Sequence, residues 1–197
     1  MIHQAIVRLV WDSFILGGIL SCVAIFILAL WRPPDRSIED AVDFLVPVDL
    51  GKLEDLLDAA AEGRIRTSAS VTEFRSIQRQ RMYLYLEFLR RMSHNSGVLI
   101  QLGNCQVNGG RAELIEMARG LQDDGVRVRL YSLAASAKVH VWIFLLHIRI
   151  IPVPVLCELK EVCGIHGLEG YEKLKTAASM FFLQAGPSKL DQLLEHL

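Results

Sequence analysis

Residues Ser70 to Leu102, SVTEFRSIQRQRMYLYLEFLRRMSHNSGVLIQL, carry the marks of one long helix. Ser70-Val71-Thr72-Glu73 is a capping box: the serine accepts from a free amide of the first turn, and the glutamate reaches back to the serine's own amide. Beyond it, Phe74, Ile77, Leu84, Tyr85, Phe88, Met92, Leu99 and Leu102 fall on one broad face at 100° per residue. A helix over 71–102 is ~48 Å long, and Gly103 is its expected stop. The sequence therefore predicts an all-α protein whose body is built around this element.

Polar residues interrupt the apolar face. Arg81 lies near its middle, with Gln78 and Asn95 at its edges. A buried guanidinium without a partner is costly, so Arg81 either packs its stem on the core with the head at the rim, or meets a carboxylate or another anion. Arg75, Arg79, Arg90 and Arg91 lie elsewhere around the helix. Together with Arg81 they are the candidate contacts for anionic lipid headgroups, the alternative for each being a solvated charge.

Upstream, Ser37 is placed to cap a short helix that Pro47 ends. Asp49 caps a second, with Leu50, Leu53, Leu56 and Leu57 as its stripe and Gly63 as its expected stop. From Glu39 to Glu62 there are eight acidic residues and one lysine; from Arg64 to Arg91 there are seven arginines and two glutamates. Adjacent blocks of opposite sign suit an antiparallel helix pair, although exposed pairs contribute only about 0–1 kcal/mol each.

Downstream, Asn104 to Gly110 reads as a helix–helix connection, and it lacks the Gly-Lys-Ser/Thr ending of a phosphate-binding loop. Arg111 to Asp124 is helical. Val126-Arg127-Val128-Arg129-Leu130 alternates like a strand, but Val126, Leu130, Leu133, Ala137, Val141, Phe144 and Ile148 form a helical stripe through the same region, and a lone strand has no partner. Helix is therefore expected. Val139 to Ile151 is strongly apolar yet broken by His140, His147 and Arg149, which suits a core helix first, an interfacial helix second and a membrane span last. Further helices are expected from Pro154 to Val162, from Tyr171 to Gln184 and after Ser188.

The other definite signal is Phe14 to Trp31, FILGGILSCVAIFILALW, uncharged and followed by Arg32-Pro33-Pro34. At ~1.5 Å per residue it spans ~27 Å, about the hydrocarbon thickness of a bilayer, and Trp11 and Trp31 sit where interfacial indoles belong. The reading is a short tail at 1–13, one transmembrane helix at 14–31, and a soluble helical domain at 33–197. No small-residue cleavage site follows the run, and nine more apolar residues follow Cys22, which argues against a removed signal and against a lipoprotein acylated there. Gly17 with Ser21, and Gly18 with Cys22, place small residues four apart, a spacing that lets two membrane helices pack as a homodimer. Flanking positive charge nearly balances; Cys105, Cys157 and Cys163, an odd set without disulfide spacing, place the body in the cytoplasm.

A formal net charge of −1 argues against a nucleic-acid binder. No Gly-x-Ser-x-Gly, His-Glu-x-x-His, Walker loop or dinucleotide fingerprint occurs. His140 and His147 share a helix face, and Cys157, Cys163 and His166 cluster in sequence, but neither set has the paired spacing of a zinc site, so no metal or cofactor is expected. The leading expectation is a membrane-anchored helical protein of scaffold or accessory-subunit type, leaning away from an enzyme. The alternatives are a lipid-binding or lipid-modifying protein using the arginine-rich helix, and a metal or haem protein.

Overall fold

The computed structural model describes residues 43–107, 112–147, 156 and 165–185, all within the second of the chain's two compact units, Arg36–Leu197. The expected tail at 1–13, the apolar run at 14–31 and the helices expected at 154–162 and after Ser188 lie outside these residues. Among the described residues there are five helices and no strand: α1 (Leu50–Leu56), α2 (Ala59–Ser68), α3 (Val71–Val107), α4 (Ala112–His147) and α5 (Ile165–Ala185). The protein is all-helical, with the long helix where the capping box places it.

That box is formed as the sequence predicts: Ser70 N–H donates to Glu73 Oε2 at 2.9 Å, and Glu73 N–H donates to Ser70 Oγ at 3.4 Å. The Ser70 hydroxyl, donating to Glu73 Oε2 at 2.7 Å, and then the Ser70 N–H hold the Glu73 carboxyl below its ordinary pKa. The far end of α3 differs from expectation. It runs through Gly103 to Val107, because this glycine serves a crossing rather than a stop. A Cβ at Gly103 would sit 2.9 Å from the Ala118 carbonyl oxygen and 2.7 Å from Gln122 Cγ of α4. Gly125 of α4 likewise faces Ile100 of α3, and Gly97 faces Arg129. Contacts pairing 97 with 129, 100 with 125 and 103 with 122 describe an antiparallel hairpin whose backbones approach through small residues. Both helices are ~55 Å long.

The second expected stop also fails. The helix begun at Asp49, whose carboxylate accepts from Lys52 N–H at 3.0 Å, ends at Leu56. Asp58 then caps a new helix through Ala60 and Ala61 N–H (3.0 and 3.1 Å), and α2 passes through Gly63 to Ser68. Gly63 has open space around it and no role in ending anything.

The core joins Met82, Tyr85, Leu89, Met92, Leu99 and Leu102 of α3 to Leu121, Val128, Ala135, Val139 and Leu146 of α4, with Leu53 of α1 and Tyr171, Leu174, Phe181 and Phe182 of α5. Helix α5 begins at Ile165, six residues earlier than Tyr171, and absorbs Gly167 and Gly170. Gly170 packs on Val128 Cγ2 (3.4 Å from an added Cβ), while Gly167 lies beside Tyr131 and Ser132, so α5 runs antiparallel to α4.

A single side chain fastens the segment before α1. Asn95, fully buried on α3, accepts from Val46 N–H (2.9 Å) and donates to Val46 C=O (2.8 Å) and to the Tyr171 hydroxyl (2.8 Å). The carboxamide stands in for a neighbouring strand, satisfying both backbone groups of one residue. His94 Nε2 against Phe44 O (2.9 Å) and Arg91 Nη1 to Pro47 O (3.3 Å) flank it. Burial pushes the Tyr171 hydroxyl up to about 12, against the lowering effect of the Asn95 bond.

Candidate functional site

The buried side of α4 is Val128, Ser132, Ala135, Val139 and Leu146. This is not the stripe picked out by the sequence. Leu130, Val141 and Phe144 of that stripe are 43%, 55% and 63% exposed, and Ala134 and Ala137 are exposed between them. From Leu130 to Leu146 the one charged side chain of α4 is Lys138, so two stripes compete, and α3 and α5 take the one with the smaller residues that permit close packing. On α3, Leu84 likewise points outward at 56% exposed, while Phe74, Tyr85, Met92, Leu99 and Leu102 are buried. Among the described residues, Leu114–His147 is the one helix long and apolar enough to cross a membrane by length and composition.

Beside the outward stripe lies an open groove of about 370 Å³, lined entirely by α3 and α4. Tyr83, Leu86, Glu87, Arg90 and Ser93 form one wall, and Leu133, Ser136 and His140 the other, with Leu89 and Ser132 deep between them. The opposite side of the pair is covered: there Leu53 and Leu57, with Gly167 and Leu168 of α5, close over Tyr85, Leu89 and Met92. Ser132 Oγ is buried and has no hydrogen-bond partner. Other helical hydroxyls here bond back one turn, as Ser96 does to Met92 O (2.7 Å) and Ser179 to Lys175 O (2.8 Å).

The candidate arginines of α3 divide by environment. Arg79 is exposed, and Arg75 is half-buried with its Nε enclosed and unpartnered. Arg90 grips Glu87 with two bonds (Nε to Oε2 at 2.9 Å, Nη2 to Oε1 at 3.0 Å), and Arg91 Nε meets the same carboxylate at 2.9 Å. Arg90 first and then Arg91 hold Glu87 down at about 2. Arg81 is turned inward, 8% exposed, its Nη2 donating to the Leu56 carbonyl at the end of α1 while Nε and Nη1 find no acceptor. Its head is enclosed rather than at the rim. Next to it Glu62, fully buried on α2, accepts from Gln78 Nε2 and from Leu156 N–H (2.8 Å). Between the acidic and basic blocks, Glu62 meets the Gln78 amide, and Arg81 and Arg91 meet the backbone carbonyls of Leu56 and Pro47.

Gly17, Gly18, Ser21 and Cys22 lie outside the described residues, as do Cys157 and Cys163. His140 is exposed and holds its own helix through Nδ1 and Ser136 O (2.7 Å); His147 is exposed at the last residue of α4. Lys138 Nζ lies 5.0 Å over the Trp142 ring. Cys105 is a half-buried free thiol. Among the described residues no three His, Cys, Asp or Glu side chains converge as metal ligands. Sequence reasoning missed the groove and the outward turn of the α4 stripe. The available signal was the lack of any carboxylate from Val126 to His147, a region that holds Arg127, Arg129 and Lys138. No protein-family model, curated protein or solved structure matches this chain.

Proposed function

We propose that this chain is a membrane-attached helical protein of scaffold or accessory-subunit type that works with the outward face of α4 laid against a second surface. The run Phe14–Trp31 is its anchor and the body lies on the cytoplasmic side, where Cys105, Cys157 and Cys163 remain thiols. The observation that carries the reading is the exposed stripe of Leu130, Val141 and Phe144, flanked by the groove. Contiguous apolar surface of this kind marks a contact site.

Helix α4 has the composition of a span, but its neighbour opposes immersion. Tyr83, Glu87 and Arg90 of α3 lie across the groove from Leu133 and His140. A bilayer around Leu130–His147 therefore also encloses Arg81, Glu87, Arg90 and Arg91 on α3. At ~2.5–3.5 kcal/mol for each charge near the membrane centre, four such groups cost on the order of 10 kcal/mol. The stripe is a face laid against something, not a segment passing through.

The test places a photo-crosslinking amino acid at Phe144 and, as a control, at the exposed Glu54 in membranes from expressing cells. Covalent adducts to lipid or protein are expected from position 144 and not from position 54. No adduct from 144, or release of the intact chain by alkaline carbonate, refutes the proposal.

A further inference from the structure

We propose that the open face of the α3–α4 pair lies flat on an anionic bilayer leaflet, with the α4 stripe in the interface and the α3 arginines on the headgroups. This rests on the membrane attachment proposed above and names what the stripe touches. Only α3 and α4 line the groove, whereas α1 and α5 cover the other side of the pair. The molecule therefore has one helix-pair face without a third layer among the described residues.

Charge is divided along the same line. Asp43 to Glu62, which contains α1 and the start of α2 on the covered side, carries six acids and one lysine. Of the five arginines of α3 beyond Glu73, Arg81 and Arg91 turn to Leu56 and Pro47 on the covered side, which leaves Arg75, Arg79 and Arg90; α4 from Val126 onward carries three cations and no carboxylate. Spacings of four, four, three and four put Arg75, Arg79, Tyr83, Leu86 and Arg90 in one row, and Tyr83, Leu86 and Arg90 of that row form the groove wall. The one acid of this region, Glu87, is already bonded to Arg90 and Arg91. Beyond Glu73, no carboxylate of α3 lacks a bonded cation, and α4 has no carboxylate from Val126 onward.

Across the groove, Leu130, Ala137, Val141 and Phe144 lie within one turn of the wall residues Leu133 and His140 on the same helix. An apolar strip edged by arginines and a tyrosine has the composition of an interfacial surface. Only Arg32 to Val42, eleven residues, separate the apolar run from Asp43, a reach of at most about 40 Å when fully extended.

Trp142 packs against the core, so the reporter is placed on the stripe itself, at Val141, which is 55% exposed. The full-length chain with W11F, W31F, W142F and Val141→Trp is reconstituted in nanodiscs containing brominated phosphatidylglycerol or brominated phosphatidylcholine. Tryptophan fluorescence is expected to be quenched in phosphatidylglycerol, more by bromines near the headgroup than by bromines near the chain ends. Raising salt to 0.5 M, Arg79→Gln or Phe144→Glu is expected to lower that quenching severalfold. Both substitutions are at exposed positions, and circular dichroism of each variant checks that the helices persist.

Absence of quenching in a chain that stays with the discs overturns the docking while leaving the anchor intact. Equal quenching in the two lipids overturns the role of the arginines, and so the proposal. Stronger quenching from deep bromines overturns it in favour of a span. A chain that leaves the discs refutes the attachment itself, and the docking with it.

Discussion

Replacing Asn95 by alanine removes one side chain that bonds three groups on two separate parts of the chain. Both polar groups of Val46 and the Tyr171 hydroxyl lose their bonds, at 2.9, 2.8 and 2.8 Å. At about 1 kcal/mol net for each bond the loss is ~3 kcal/mol. The hydroxyl is fully enclosed and cannot recruit water freely, whereas the part-buried Val46 groups can, which keeps the total near that figure rather than above it. The assay is urea unfolding of the full chain in a fixed mild detergent, followed by far-ultraviolet circular dichroism. Asn95→Ala and Tyr171→Phe are measured singly and together. The double variant should lose less than the sum of the singles, with a coupling of ~1 kcal/mol. Native-state proteolysis should cut at 43–49 in Asn95→Ala before the helices unfold. A loss below 1 kcal/mol, or strict additivity with Tyr171→Phe, refutes the view that this carboxamide fastens the segment.

Further outcomes follow from single environments. Ser132→Ala should leave stability unchanged or raise it by up to ~2 kcal/mol, since it deletes a buried hydroxyl without a partner; a loss beyond 1 kcal/mol would mean that the hydroxyl is bonded. The two expected helix stops should separate by sign. Gly63→Ala, in open space within α2, should stabilise by up to ~1 kcal/mol, and Gly103→Ala, facing a carbonyl at 2.9 Å, should destabilise by ~1–3 kcal/mol in the same urea titration. Tyr171, raised from 10.0 to about 12 by burial, keeps its proton longer folded than unfolded. Its contribution is fully present below pH 10 and is lost as pH rises through 12, so wild-type stability should fall more steeply than that of Tyr171→Phe between those values.

What the sequence reveals is local, and what it hides is decided at a distance. The start of α3 is legible because Ser70 and Glu73 satisfy each other's backbone three residues apart. The helical character of α4 is legible from its period, but its orientation is not. When both stripes are apolar, hydropathy does not rank them, and the partner selects the one whose small residues allow close approach. Gly103 has the composition of a cap and the job of a spacer, and nothing within its own turn distinguishes the two. Asp58 begins a helix in the middle of what the leucine pattern presents as one element. Asn95 meets a backbone 49 residues away, a relation that no window over the sequence contains. Among the candidate site residues, the arginine row of α3 could be read from its spacing. That Arg81 belongs to the interior and Arg79 to the surface depends on where α1 ends.

The fastening of 44–48 to α3 also has a mechanical consequence. The chain enters the bundle through this short segment, so any pull transmitted along the polypeptide from residue 42 arrives first at Phe44, Val46 and Pro47. Their bonds to His94, Asn95 and Arg91 are rooted in the middle of the longest helix, not at its tip. Tension applied there is shared at once with Tyr171, and so with α5, before it reaches the thin first turn of α1. A pull from residue 42 is thus taken up by the middle of α3, away from either end of that helix.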